Sequence, residues 1–256
     1  MTAPPLIAVA HGSRDPRSAA TVHALLDVLK QRQPGLDVRG AFLDLSAPRL
    51  GDVLGAVHGE GARDIKKGAA VVVPLLLGNA YHAKVDIPAL ITEASARLPR
   101  LAVHTSDVLG PDSALEETAL RRLTEAGVSP HDPELGVVLA GTGSSSASAN
   151  AVVARIAASW QERFGWAGVA AGFAAAEPGL AEAARVLRAR GARRIAVASW
   201  FLAPGLLLDR ITNQAAEADA AAVVAEPLGP APEVADLVFR RYLASLPAEV
   251  DERRYA

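Results

Sequence analysis

The chain contains no cysteine. That one absence excludes disulfides, thiolate metal sites, iron–sulfur clusters and cysteine nucleophiles. Charge of one sign is not in excess either: 26 basic against 28 acidic residues leave a net −2, so no global basic field recruits nucleic acid. Long hydrophobic runs are missing. The longest, Ala69 to Leu77 between Gly68 and Gly78, falls far short of the roughly 20 residues of a membrane span. The start, Met1-Thr2-Ala3-Pro4-Pro5, has no basic stretch of the kind that opens an export signal. The expectation is a cytoplasmic globular protein with no membrane or nucleic-acid partner. What the chain does have is apolar residues, 50% of 256, enough for one large core or two cores of about 125 residues each.

Those apolar residues fall in short continuous runs that alternate with longer helical stretches. Strands are expected at Leu6–Ala10, Asp37–Leu43, Ala69–Leu77, Leu101–Thr105, Leu135–Ala140, Ala167–Phe173, Arg194–Leu202 and Ala221–Ala225. Helices are expected near Ser18–Gln31, Arg49–Val57, Ile87–Arg97, Ser113–Ala126, Ala147–Arg163, Leu180–Arg190, Leu207–Ala218 and Glu233–Ala244. Continuously apolar strands suit parallel sheets covered on both faces, which makes this an α/β chain.

The pattern occurs twice. Leu109-Gly110-Pro111 and Leu228-Gly229-Pro230 each precede a helix ending in an arginine pair, Arg121-Arg122 and Arg240-Arg241. Phe42 and Pro48 answer Phe173 and Pro178, and Ala10-His11-Gly12-Ser13 answers Gly141-Thr142-Gly143-Ser144. Eight βα units fit either a closed barrel or two open four-stranded sheets facing across a cleft. The turn-rich segment Gly127 to Pro133 favours two domains, 1–127 and 134–256.

In open parallel sheets ligands bind beyond the carboxyl ends of the strands. The first repeat places His11, Ser13 and Arg14 after its first strand and Asp44 after its second. After the third come Gly78, Tyr81, His82, Lys84 and Asp86. Two imidazoles and a carboxylate at one rim suit a divalent metal. Taken alone, His11 also reads as an ordinary hydrogen-bonded residue near a helix. The second repeat has Thr142 and Leu207 where the first has His11 and His82, so the function is expected in one copy only. His23, His58 and His131 read as surface or capping residues, and His104 as either packed or ligating. The Gly141–Ser146 loop lacks the lysine of a nucleotide-binding loop. Ser13 lacks the Gly-x-Ser-x-Gly turn of a hydrolase nucleophile.

Several stretches together resemble one family. They are Ala10-His11-Gly12-Ser13-Arg14, Phe42-Leu43-Asp44-Leu45-Ser46-Ala47-Pro48, Val73–Gly78 running on to His82 and Asp86-Ile87-Pro88, and the two Leu-Gly-Pro turns. The chain is similar to the class II tetrapyrrole chelatases, the sirohydrochlorin cobalto- and ferrochelatases, in their two-repeat form. The resemblance implies two tandem domains, each a four-stranded parallel sheet flanked by helices, and ATP-independent insertion of Fe²⁺ or Co²⁺ into sirohydrochlorin. It implies His11 and His82 as metal-binding and catalytic imidazoles beside an interdomain cleft, with the degenerate second repeat as the opposite wall. Asp44 joins them as a catalytic carboxylate, where the family often has Glu. Ser13, Arg14, Tyr81 and Lys84 are expected to bind the carboxylate-rich macrocycle, with Arg210 a further anchor. No cofactor beyond the substrate metal (Fe²⁺, Co²⁺ or Ni²⁺) is implied, and the chain is expected as a monomer or homodimer. The competing readings are a non-catalytic Ni²⁺ or Co²⁺ delivery protein on the same scaffold and a (βα)₈ enzyme acting on a phosphorylated sugar.

Overall fold

Strand and helix alternate along the chain in a computed structural model that describes residues 3–61, 68–78, 86–98 and 100–246. The strands form two separate four-stranded parallel sheets, so the closed-barrel reading fails. The chain divides into two compact units, one formed by Met1–Gly110 with Pro230–Ala256 and the other by Pro111–Gly229.

In the first unit β1 (Leu6–Ala10), β2 (Val38–Phe42), β3 (Gly68–Pro74) and β4 (Leu101–Thr105) are ordered β2-β1-β3-β4. Every residue of β1 is buried, as a central strand covered on both faces requires. Helix α1 (Pro16–Arg32) starts cleanly because the Asp15 carboxylate accepts the Arg17 N–H and Pro16 needs no partner for its nitrogen. It buries Val22, Leu25, Leu26 and Leu29 on one stripe. Helices α2 (Leu50–Gly61) and α3 (Ile87–Arg97) complete this part of the chain, Leu50, Val53, Leu54, Val57 and Ile87 joining one core with Ile7 and Val9.

The second unit repeats the plan with β5 (Leu135–Gly141), β6 (Gly168–Phe173), β7 (Arg194–Ser199) and β8 (Val223–Val224), ordered β6-β5-β7-β8. Helices α5 (Ala147–Arg163), α6 (Leu180–Ala189) and α7 (Leu206–Ala218) link them.

Each unit is completed by a helix from the other half of the sequence. Helix α4 (Ser113–Glu125) follows β4 in sequence but belongs to the second unit, where it packs on β7. It buries Leu115, Thr118, Ala119 and Leu123, and its Glu116 accepts the indole N–H of the fully buried Trp160 at 3.1 Å. Helix α8 (Pro232–Leu243) ends the second repeat but packs on α1 and β3 of the first unit. There Tyr242, fully buried, donates its hydroxyl to the Pro4 carbonyl at 2.7 Å, and Arg32 grips Asp236 with two bonds of 2.6 Å. The units therefore part at the Leu-Gly-Pro turns, at Gly110 and Gly229, and not between the expected domains 1–127 and 134–256. That expected boundary followed the sequence repeat. The apolar stripes of α4 and α8 are buried in the unit opposite to their own repeat.

Candidate functional site

The rim of interest lies where β1 and β2 end side by side. Their ladder continues past the strands: Leu43 N–H donates to Ala10 O and Asp44 N–H to His11 O, both at 2.9 Å. His11 and Asp44 are thus backbone partners, and the side chains of both are exposed. The next residue, Gly12, has φ +95°, and a Cβ there would lie 1.7 Å from the Asp44 carbonyl oxygen. No L side chain fits so close to backbone, which explains a glycine directly after His11.

The two loops are tied together beyond that contact. Ser13 N–H donates to Ser46 Oγ at 3.2 Å, and the Ser46 hydroxyl donates back to Ser13 O at 3.0 Å. The Ser13 hydroxyl accepts the Asp15 N–H at 3.0 Å, which tightens the entry into α1. Between Asp44 and Ser46 the chain reverses over three residues, with Ser46 N–H donating to Asp44 O at 2.7 Å across Leu45 at φ 59°. A leucine in this left-handed region is strained, and it is nearly half exposed, at 46%. The Asp44 carboxylate accepts the Leu45 N–H at 2.8 Å and Arg49 Nη1 at 2.6 Å, both on Oδ1. The Arg49 bond, then the Leu45 N–H, then the charges of Arg49 and His11 hold this carboxyl below its ordinary range. It is a carboxylate at neutral pH, next to an imidazole.

Of the residues expected at the site, the structure brings His11, Ser13 and Asp44 together and leaves Arg14 exposed beside them. Tyr81, His82 and Lys84 lie outside the described residues. Arg210 is in the second unit, where it donates to the Ala174 carbonyl at 3.1 Å. Among the described residues no three His, Asp or Glu side chains gather closely enough to hold a metal ion. His23 and His131 are exposed, and His104 is half-buried on the edge strand β4. Two residues that sequence reasoning overlooked take part: Ser46, which clamps Ser13, and Arg49, which holds Asp44. The loop carrying Asp44 and Arg49 could have been compared position by position with its repeat, which has Ala175 and Gly179 there. A concavity of about 560 Å³ on the second unit, lined in part by Glu177, Glu182, Arg185 and Gln214, includes none of the expected residues.

Comparison with known proteins gives the family. The CbiX family model matches residues 5–126 and, a second time, residues 136–245. The sirohydrochlorin ferrochelatase of Priestia megaterium is 29% identical over 210 residues, covering 80% of this chain and 76% of the relative. The sirohydrochlorin cobaltochelatase of the same organism is 28% identical over 211 residues, covering 79% of this chain and 65% of the relative. Among solved structures, SirB from Bacillus subtilis with Fe³⁺ superposes with a TM-score of 0.78 at 25% identity, over 94% of each chain. A SirB complex with cobalt superposes at 0.71 and 21% identity over 93% of each chain, a likeness of fold. With one family model matched to each repeat in turn, the chain belongs to the CbiX family.

Proposed function

We propose that this chain is a sirohydrochlorin chelatase that inserts a divalent metal, Fe²⁺ or Co²⁺, into the macrocycle without ATP. The observation that carries the reading is that His11 and Asp44 are backbone partners on adjacent strand ends of the first unit, both with exposed side chains. The named activities of the two Priestia relatives support it.

Insertion exchanges two pyrrole N–H protons for one dication. The site must hold a partly dehydrated metal, accept protons and bring the ring against the metal. A neutral imidazole has a lone pair for the metal, and metal binding favours that neutral form. His11 and His82 are assigned that task. Asp44 supplies negative charge beside His11, which favours an approaching dication. Ser13, Arg14, Tyr81 and Lys84 are assigned to the macrocycle, whose carboxylates suit the two cations.

The test is anaerobic conversion of sirohydrochlorin followed by absorbance, with Co²⁺ and separately Fe²⁺. The wild type is expected to accelerate insertion, His11→Ala and His82→Ala to fall to the uncatalysed rate. A wild type no faster than the free reaction, yet binding Co²⁺ through these histidines, overturns catalysis and leaves metal holding.

A further inference from the structure

We propose that Arg49 is a positioning residue for metal insertion, pinning the Asp44 carboxylate through one oxygen so that the other is held for the reaction. This rests on the chelatase reading above. Arg49 Nη1 bonds the Leu43 carbonyl at 3.0 Å and Asp44 Oδ1 at 2.6 Å, so the guanidinium is braced on the backbone just before the carboxylate it holds. The Leu45 N–H fixes the same Oδ1 at 2.8 Å. Among the described residues both hydrogen bonds to this carboxylate fall on Oδ1. Its rotation is restrained without any described residue engaging Oδ2.

Stability gives little reason for the pair. Arg49 is 48% and Asp44 61% exposed, and exposed ion pairs contribute little to folding. The second repeat makes the flanking pairings of this loop without them, in a loop one residue shorter. Phe42 bridges Arg49 as Phe173 bridges Gly179, and Phe42 N–H donates to Pro48 O at 2.9 Å as Phe173 N–H donates to Pro178 O at 3.0 Å. Asp44 N–H donates to His11 O as Ala175 N–H donates to Thr142 O, each at 2.9 Å. These contacts make Arg49 equivalent to Gly179, Asp44 to Ala175 and His11 to Thr142. The backbone survives in both copies; the imidazole, carboxylate and guanidinium are found in one. A guanidinium present only where the imidazole and carboxylate are, and not needed for the flanking pairings, is assigned to their function.

The experiment compares wild type with Arg49→Ala, Arg49→Lys, Asp44→Ala and the Asp44→Ala/Arg49→Ala double variant in Co²⁺ insertion, with thermal melts as a check of folding. Arg49→Ala is expected to lower kcat about tenfold, in the range of lost outer-sphere partners. KM for sirohydrochlorin stays within about twofold, because positioning acts on the reacting state. Arg49→Lys restores part of kcat, and Arg49→Ala costs nothing further once Asp44 is Ala. The assignment is overturned by an unchanged kcat, by a rise in KM alone (the mark of a macrocycle anchor), or by equal loss with and without Asp44. If Arg49→Ala does not fold, Arg49→Lys and the double variant decide in the same terms. An inactive wild type overturns the chelatase reading and this inference with it; an active one with an indifferent Arg49 overturns this inference alone.

Discussion

The two repeats share a backbone and differ in how their first loop is held. In the first, the loop after β1 is tied to the loop after β2: Ser46 clamps Ser13, and the Asp44 carbonyl sits against Gly12. In the second, the loop after β5 is tied to its own helix, Asn150 accepting the Ser144 N–H at 2.8 Å and donating to Ser144 O at 2.9 Å. That loop keeps one backbone bond to its neighbour, Ala175 N–H to Thr142 O, but takes its side-chain anchor from its own helix. A loop cross-linked to its neighbour fixes the residues of both, which a site assembled from two strands requires. The β2 loop is also one residue longer than its counterpart between the phenylalanine and the proline, and the added length goes into the strained turn at Leu45. Strain, cross-linking, the imidazole and the carboxylate coincide in one copy.

Substitutions at matched positions sharpen the contrast. The largest effect is expected at Gly12→Ala, which sets a left-handed φ and an overlap with backbone together and should cost about 3 kcal/mol or more in chemical denaturation. Gly143→Ala meets the Cβ atoms of Phe173 and Ala176 at 2.8 Å, so it should also destabilise, while metal insertion by the folded fraction is kept. Next, Asp44→Asn should lower kcat about 10- to 100-fold, and Ala175→Asp, which places a carboxylate where no imidazole stands, should leave it unchanged. Smaller still is the pair of helix arginines. Arg241 donates to Val108 O and Leu109 O at 2.9 and 3.0 Å, so Arg241→Ala should cost about 1–3 kcal/mol in melting. Arg122 bonds the half-exposed Glu125 at 2.8 Å, reaches Leu228 O only at 3.5 Å and leaves its Nε buried without a partner, so Arg122→Ala should cost less.

The least effect is expected on acidification. Arg17 and Arg49 hold the Asp15 and Asp44 carboxyls below their ordinary range in the first unit; Arg122 with Arg121, and Arg185, do the same for Glu125 and Glu182 in the second. A lowered folded pKa favours the fold fully above the unfolded value, about 4, and that gain is lost as pH falls through the folded values. Stability should therefore be flat from pH 7 to about pH 5 and decline below it, in both units. A decline beginning at pH 6 in an equilibrium melt series contradicts these assignments.

Much of the fold was legible because β1, β4, α3 and α5 carry uninterrupted patterns, and their expected bounds match the observed ones. Strand ends were less so. The apolar runs expected to end at Leu77 and Leu202 leave their sheets at Pro74 and Ser199, yet Leu75, Trp200 and Phe201 stay buried in the following loops. Hydrophobicity reports burial, not where a ladder stops. The exchange of α4 and α8 was illegible for a similar reason, since an amphipathic stripe says that a helix packs without saying on which sheet. At the site, His11 and Asp44 could be read from their places after strands. Periodicity could not give Arg49, because its partner is set by a local reversal at Leu45; only the comparison of the two repeat loops marks it.

One repeat is expected to carry the reaction and the other to support it, and paired variants at matched positions test this most directly. The rate of Co²⁺ insertion into sirohydrochlorin should fall to the uncatalysed level in His11→Ala and remain that of wild type in Thr142→Ala. Equal losses in the two variants, or full activity in His11→Ala, would contradict it.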